Sequence, residues 1–235
     1  MDQILSIIFS FSSVFLIGLL AVIVIKFGGH IHKNEYKYYW VASLIALVAT
    51  VFSVLAQFNI VNVEIPLIYQ IVFQGHLTFA FFVLVMFAGA FKPKSKPKIT
   101  LMKVRRELAI LGFIILIPHA VLLIVKALSA LNPTGTLALI IMTPLFITSF
   151  PKIRKKMHPL KWRKLHKWAY AAYFMIFLHL VSITIIAQGL SKAPRVYDQY
   201  WWIRLIMYVM IFMFYSYLKF KYYILAPKPN KNVAK

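Results

Sequence analysis

Apolar residues gather in long runs along the chain, and charged residues gather in the gaps between them. The runs are about 15 to 25 residues long, close to the length that a helix needs to cross a hydrocarbon core of about 30 Å. Because a segment in lipid must satisfy its own backbone hydrogen bonds, runs of this length predict helices. We predict seven transmembrane helices, at Ile4–Ile25, Tyr38–Ile60, Leu67–Phe91, Leu108–Leu128, Thr136–Phe150, Leu165–Ala187 and Trp201–Leu218.

The predicted fold is therefore an all-α, polytopic membrane helix bundle. Residues 1–66 hold two N-terminal transmembrane helices, residues 67–188 a core of four helices, and residues 189–235 the last helix and a basic tail. The gaps between the apolar runs are expected to be loops. The longest basic ones are Gly28–Lys37, Lys92–Arg106 and Pro151–Arg163.

Charge predicts how the bundle is oriented. The chain has 27 Lys and Arg against 5 Asp and Glu, and these cations lie in the gaps rather than on one face, which excludes an ordinary nucleic-acid-binding domain. With the N-terminus outside and the C-terminus in the cytoplasm, 23 of the 27 fall on the inner side, as the positive-inside rule requires. We therefore expect a multi-pass protein in a lipid bilayer, specifically a bacterial plasma membrane.

The chain has no cysteine, which excludes disulfides, thiolate metal sites and iron–sulfur clusters. Histidine is the remaining strong metal ligand, and ionisable residues inside a membrane span are functional candidates because burying them is costly. His76, His119 and His179 lie within predicted spans, and His166 lies at the inner end of one. We interpret the histidines of the basic loops as surface residues; these are His30, His32 and His158.

His119 and His179 are predicted to lie at the same depth. His119 follows Arg106 by thirteen residues and His179 follows His166 by thirteen, so each lies roughly 20 Å above the inner end of its helix. Two neutral imidazoles at one depth can ligate a heme iron from both sides, and heme b needs no cysteine. The alternative is that each histidine only hydrogen-bonds a neighbouring helix. We favour ligation for this pair because the depths match.

The sequence leaves the roles of His76, His166 and three arginines undecided. His76 lies roughly 24 Å above the inner face, where ligation, a contact to a heme propionate or substrate, and a structural role all stay open. His166 could ligate a second heme, but no histidine of another predicted span lies at its height, and Arg105 and Arg106 stand there instead. With Arg163, these arginines could bind heme propionates or the phosphate of a flavin.

Two segments resemble a known family. RRELAILGFIILIPHAVLL (Arg105–Leu123) resembles the helix of the ferric-reductase-like transmembrane domain that starts with two arginines and bears a histidine near its outer end. Gly135–Leu180 resembles the next two helices, with the pattern Trp-x-x-Leu-His-(Arg/Lys)-x-x-Tyr and a second histidine thirteen residues later. The resemblance covers about Gln70 to Ala187. Within the family, the chain is most similar to bacterial short forms, such as the MsrQ-type heme-binding membrane subunits.

The resemblance has implications for the cofactors. His119 and His179 match the outer heme ligands of the family, and His166 matches the histidine that opens the last conserved helix. Arg105 and Arg106 stand where oxidases and ferric reductases have another histidine, which agrees with the short forms. The resemblance implies one heme b, and it leaves a second heme, an FMN or a quinone open. It does not cover the role of His76.

The expected function is that of a heme b membrane protein, a component of an oxidoreductase without FAD and NAD(P)H domains of its own. Electrons would pass from the cytoplasmic side or the quinol pool outward to an extracytoplasmic acceptor, which is a protein or a small molecule. The donor would be a separate flavoprotein or quinol. The acceptor would dock on the outer loops Asn59–Pro66, Ser129–Gly135 and Gln188–Tyr200. The alternatives are a non-redox seven-helix transporter and a structural membrane subunit.

Overall fold

The computed structural model describes residues 2–58, 60, 72–126, 133–189 and 201–225, and within these ranges it contains helices and no strand. The prediction of an all-α, polytopic helix bundle is confirmed. The helices are α1 (Asp2–Lys33), α2 (Glu35–Gln57), α3 (His76–Ala88), α4 (Lys96–Lys126), α5 (Pro133–Ile147), α6 (Pro151–Arg154), α7 (Pro159–His166), α8 (Ala169–Gly189) and α9 (Trp201–Lys219), which continues into a π-helical turn at Phe220–Ile224.

Four segments of the described chain are long and apolar enough to cross a membrane. They lie in α1, in α2, in α7 together with α8, and in α9 with its π-helical turn. Helices α3 and α5 are apolar but shorter, with 13 and 15 residues. Helix α4 has 31 residues, and its apolar part begins at Leu108. The side of the membrane on which each terminus lies stays a prediction, and so does the division of the chain at residues 66 and 188.

The prediction of basic loops is wrong in large part. In the segment Gly28–Lys37, only Asn34 separates α1 from α2. Helix α4 begins at Lys96, inside the expected loop Lys92–Arg106, and the segment Pro151–Arg163 contains α6 and much of α7. Lysine and arginine are good helix formers, and their long side chains can reach water from a helix end. A basic segment therefore marks where a helix leaves the apolar layer and not where the helix ends.

Helix α3 forms the centre of the bundle. Twelve of its 13 residues are buried, as expected for a helix that is apolar on every side. Leu84 packs into a core with α1, α2 and α4, whereas Phe79 packs with α8 and α9, and Phe82 packs with α5 and α8. His76, the first residue of α3, is itself buried and so lies in the interior of the bundle.

The outer surface of the bundle is apolar. Phe15 of α1, Leu44 of α2 and Met213 of α9 are 69%, 63% and 66% exposed. Exposed apolar area of this extent is typical of a surface that contacts lipid or a partner. The polar and titratable side chains described below lie between the helices or at the ends of the bundle.

Candidate metal centre

His119 of α4 and His179 of α8 lie next to each other. Their ring centroids are 6.3 Å apart, and the ring planes are inclined at 79°. Two metal–nitrogen bonds of about 2 Å each, with roughly 1.2 Å from each nitrogen to its ring centre, would separate two imidazoles on one ion by about 6.4 Å. The observed separation leaves room for one metal ion between two imidazoles, and it is also an ordinary distance for an edge-to-face pair of rings.

The ring of His119 is held through one of its nitrogens. Its Nδ1 lies 2.6 Å from the carbonyl oxygen of Phe73, so Nδ1–H donates there and Nε2 keeps its lone pair. Gly75, the residue just before α3, has a φ of 77°. A Cβ added to Gly75 would lie 3.6 Å from the imidazole of His119. Imidazoles that ligate metals usually have such a hydrogen bond at the other nitrogen, because it fixes the tautomer and the ring orientation.

The ring of His179 differs from that of His119 in its hydrogen bonding. Its Nδ1 is buried, and among the described residues no hydrogen-bond partner is found for it. The first turn of α5 lies against the ring, so that a Cβ on Gly135 would be 2.5 Å from Nδ1 and 2.6 Å from Cε1. Nδ1 therefore faces the backbone of α5, which leaves no room for a ligand on that side of the ring. Two imidazoles that face each other between helices are the type of donor pair that heme b takes.

His76 joins the same region from α3. It is 5% exposed, and its Nδ1 lies 2.5 Å from the hydroxyl oxygen of Ser12 on α1. It also lies within electrostatic range of His119 and of Arg204 on α9. We call His76, His119 and His179 the outer histidine group, where outer and inner refer to the sides of the membrane that the charge pattern predicts. The structure thus brings the third candidate histidine close to the pair, with its own hydrogen bond to a neighbouring helix.

His166 lies apart from the outer histidine group. Its Nε2 is 3.1 Å from the hydroxyl oxygen of Thr148, and its ring stacks on Trp162 with 4.0 Å between the ring centroids. The indole nitrogen of Trp162 donates to the carbonyl oxygen of Thr148, at 3.0 Å. These contacts join the end of α5 to α7. His166 therefore has structural contacts of its own at this end of the bundle.

The two adjacent arginines of α4 point to different neighbours. Arg105 lies near His166 and faces the hydroxyl of Tyr173, in the interior of the bundle. Arg106 makes ion pairs with Glu35 of α2 and with Glu107. Arg163, the third arginine predicted to bind a cofactor, is exposed on α7.

The ion pairs of Arg106 belong to a larger group. Glu107 is 1% exposed, and its Oε1 lies 2.6 Å from the guanidinium of Arg106 and 2.9 Å from Nδ1 of His32 on α1. We call His32, Glu35, Arg106 and Glu107 the inner ion-pair cluster. Burial by itself would raise the pKa of Glu107, but its backbone hydrogen bond and its contacts with His32 and Arg106 outweigh burial and hold the pKa below its usual value.

The inner ion-pair cluster also has the ligand types of a metal site. The candidate ligand atoms of His32, Glu35 and Glu107 lie within 4.8 Å of one another. The guanidinium of Arg106, however, already bonds both carboxylates. Since a cation of the protein occupies the centre of the group, we interpret it as a clamp between α1, α2 and α4.

Sequence reasoning missed several of these residues. Glu107 could have been found, because a carboxylate beside two arginines at the start of an apolar run must be paired to be tolerated. Ser12 and Gly135 have no such local signal. Ser12 meets His76 across 64 residues of chain, and Gly135 meets His179 across 44.

The loops predicted to dock an acceptor lie largely outside the described residues. Of Asn59–Pro66 only residue 60 is described, of Ser129–Gly135 only residues 133–135, and of Gln188–Tyr200 only the last residues of α8. The docking role of these loops stays a prediction.

Comparison with known proteins adds one match. Residues 74–177 match the family model described as ferric reductase like transmembrane component. This segment runs from the turn before α3 into α8; it contains His76, His119 and His166 and ends two residues before His179. No curated protein and no solved structure matches the chain. Residues 74–177 of this multi-pass helix bundle are thus similar to the ferric reductase like transmembrane family, and this similarity suggests a role in electron transfer within the membrane.

Proposed function

We propose that this protein carries electrons across the membrane with one heme b held by His119 and His179. The observation that carries the proposal is the 6.3 Å separation of the two rings, one of which has its Nδ1 bonded to a carbonyl. The family of residues 74–177 supports it. When bound, the heme supplies a one-electron carrier, and its ligands and surroundings set its potential.

The residues of this chain prepare the two donors. The carbonyl of Phe73 holds the proton on Nδ1 of His119 and so keeps Nε2 free of protons. The absence of a side chain at Gly135 lets α5 close on His179 without displacing its ring. Pro118 and Leu122 are buried beside His119 on α4 and exclude water. Low polarity favours neutral imidazoles, the form that binds metal.

The proposed count of one heme follows from the contacts of His166. Its Nε2 bonds Thr148, its ring stacks on Trp162, and its nearest charged neighbours are Arg105 and Arg154. None of the other described histidines is among these contacts. A second heme at this end would have to displace them.

The proposed direction is outward. Electrons from a separate flavoprotein at the cytoplasmic side, or from quinol, would leave to an extracytoplasmic protein or small molecule. The charge asymmetry of the chain supports this orientation, since 23 of 27 Lys and Arg fall on one side of the predicted bundle.

A pyridine hemochrome spectrum of the purified full-length protein tests the cofactor. We expect a b-type spectrum with one heme per chain and a six-coordinate, low-spin signal in the native protein. Protein that inserts into the membrane normally and binds no heme when heme is supplied would instead favour a transporter or a structural subunit.

Inverted membrane vesicles test the direction. A reductant that does not cross membranes should reduce the heme band when it is supplied to the cytoplasmic face. Reduction only from the opposite face would contradict the outward direction without affecting the ligand assignment.

A further inference from the structure

Three cations near the inner end, Lys98, Arg105 and Lys219, lie close to one helix end. Most of the lysines in the basic segments are exposed, whereas Lys98 and Arg105 of α4 and Lys219 of α9 are half-buried. All three surround the C-terminal end of α3. Nζ of Lys98 lies 3.4 Å from the carbonyl oxygen of Ala88, and Nζ of Lys219 lies 3.2 Å from that of Gly89. Arg105 lies beside Gly89. We call these residues the inner cation cluster.

Tyrosines hold the two lysines in place. The ring of Tyr223, in the π-helical turn after α9, has Nζ of Lys98 at 5.0 Å and Nζ of Lys219 at 4.4 Å from its centroid. Lys98 donates to the hydroxyl of Tyr223, which in turn donates to the carbonyl of Phe91, at 3.0 Å. Lys219 donates to the hydroxyl of Tyr170, at 3.0 Å. A π-helical turn frequently marks a functional site.

The two lysines of the inner cation cluster donate hydrogen bonds to uncharged carbonyl and hydroxyl groups. Within the described part of the chain, every salt bridge belongs to the inner ion-pair cluster, and none involves Lys98, Arg105 or Lys219. The carbonyls at the end of α3 contribute only the partial negative charge of a helix C-terminus. Three half-buried positive charges around one helix end repel each other, so an anion bound among them would be stabilised.

We propose that the inner cation cluster binds the phosphate of an anionic phospholipid from the adjoining leaflet. Basic pockets between transmembrane helices on the cytoplasmic side bind anionic head groups. The neighbouring surface favours a lipid over a soluble phosphate: Tyr170, Phe214 and Tyr217 are 52%, 51% and 54% exposed, and such side chains suit the interface and the first part of the acyl chains. The proposal is independent of the heme.

The test uses the full-length protein in a non-ionic detergent. Native mass spectrometry would measure how tightly phosphatidylglycerol binds, with phosphatidylcholine as the neutral comparison. One lysine near an anionic surface contributes enough for a roughly fivefold change in affinity. We therefore expect Lys219→Gln to bind phosphatidylglycerol about fivefold more weakly, and the double variant Lys98→Gln/Lys219→Gln about 25-fold more weakly.

Lys221→Gln is the matched control. Lys221 is exposed two residues after Lys219 and donates only to Tyr217, so the same loss of charge should leave binding within twofold of the wild type. The variant Lys98→Arg/Lys219→Arg should retain binding, which separates charge from folding. Equal binding by the double Gln variant and the control would overturn the proposal. Displacement of the lipid by inorganic phosphate or FMN at equal concentration would also overturn it, in favour of a soluble phosphate ligand.

Discussion

The two ends of α4 carry histidine contacts of opposite character. At one end, Glu107 bonds Nδ1 of His32, at 2.9 Å, and every side chain of the inner ion-pair cluster meets a partner of opposite charge or a hydrogen-bond partner. At the other end, twelve residues or roughly 18 Å further along the helix, His119 bonds a carbonyl and faces a second imidazole. A histidine beside a carboxylate is suited to carry a proton and a charge, whereas paired neutral imidazoles are suited to bind a metal.

The predicted depths of the two sites in the membrane account for the difference. A charged group near the surface can be offset by a partner and by water, while an unpaired charge in the apolar layer is costly. Neutral imidazoles avoid that cost and keep lone pairs for a metal. The partners of a histidine therefore indicate whether it belongs to an ion pair or to a metal site.

The largest effect is expected from removal of either proposed ligand. His119→Ala and His179→Ala should each abolish the six-coordinate, low-spin heme spectrum, because one axial bond is lost while the protein still inserts. Absorption spectra of the oxidised and reduced proteins measure this effect. His158→Ala, at the start of α7, is the control and should keep the full spectrum. Full heme retention in His179→Ala would end the pairing proposed here.

The next effect concerns the inner ion-pair cluster. Glu107→Gln leaves Arg106, whose side chain is 37% exposed, with Glu35 as its remaining carboxylate partner, and the loss of such a partly exposed pair costs about 1–2 kcal/mol. We expect the free energy of unfolding in detergent to fall by about that amount, with an unchanged heme spectrum. Thermal unfolding followed by circular dichroism measures the loss. A change in the spectrum of the heme would show that the two ends of α4 are coupled.

A methyl group placed against His179 should have a smaller effect. In Gly135→Ala the new Cβ would lie 2.5 Å from Nδ1, so the ring or the start of α5 must move. We expect heme affinity to fall about tenfold, equivalent to about 1.4 kcal/mol. Titration of the heme-free protein measures the affinity. Gly18→Ala is the matched control, because nothing lies within 4 Å of a Cβ there.

Acid should remove the stabilisation that Glu107 provides. Its pKa lies below the usual value of 4.5, so the ionised side chain stabilises the fold above that pH, and the stabilisation is lost as the pH falls through the lower pKa of the folded protein. The difference in Tm between the wild type and Glu107→Gln should therefore stay constant above pH 4.5 and shrink below it. A difference that stays the same from neutral pH into the acid range would contradict this role of Glu107.

The smallest effect on the heme is expected at His166. His166→Ala removes the hydrogen bond to Thr148 and the stacking on Trp162, but it leaves the outer histidine group intact. The heme content per chain should be unchanged. Loss of half the heme would reveal a second site at the inner end.

Much of the architecture could be predicted from local pattern. Long apolar runs separated by cations require helices in lipid, and the described residues contain helices and no strand. The loops were predicted poorly, because helix propensity does not stop at a charge, as α1 and α4 show. Equal spacing from the basic ends placed His119 and His179 at one depth, since the rise of a helix per residue is constant.

The sequence by itself determined the helical class, the approximate order of the spans, the three histidines within predicted spans and the similarity of residues 74–177 to a family. Only the tertiary structure decided that Arg105 faces Tyr173 while Arg106 pairs with Glu35, and that Gly135 makes room for His179. The spacing along one helix sets height and angle, which are local quantities. Packing between segments far apart in the chain decides which residue of another helix lies opposite. A local sequence pattern does not contain this information.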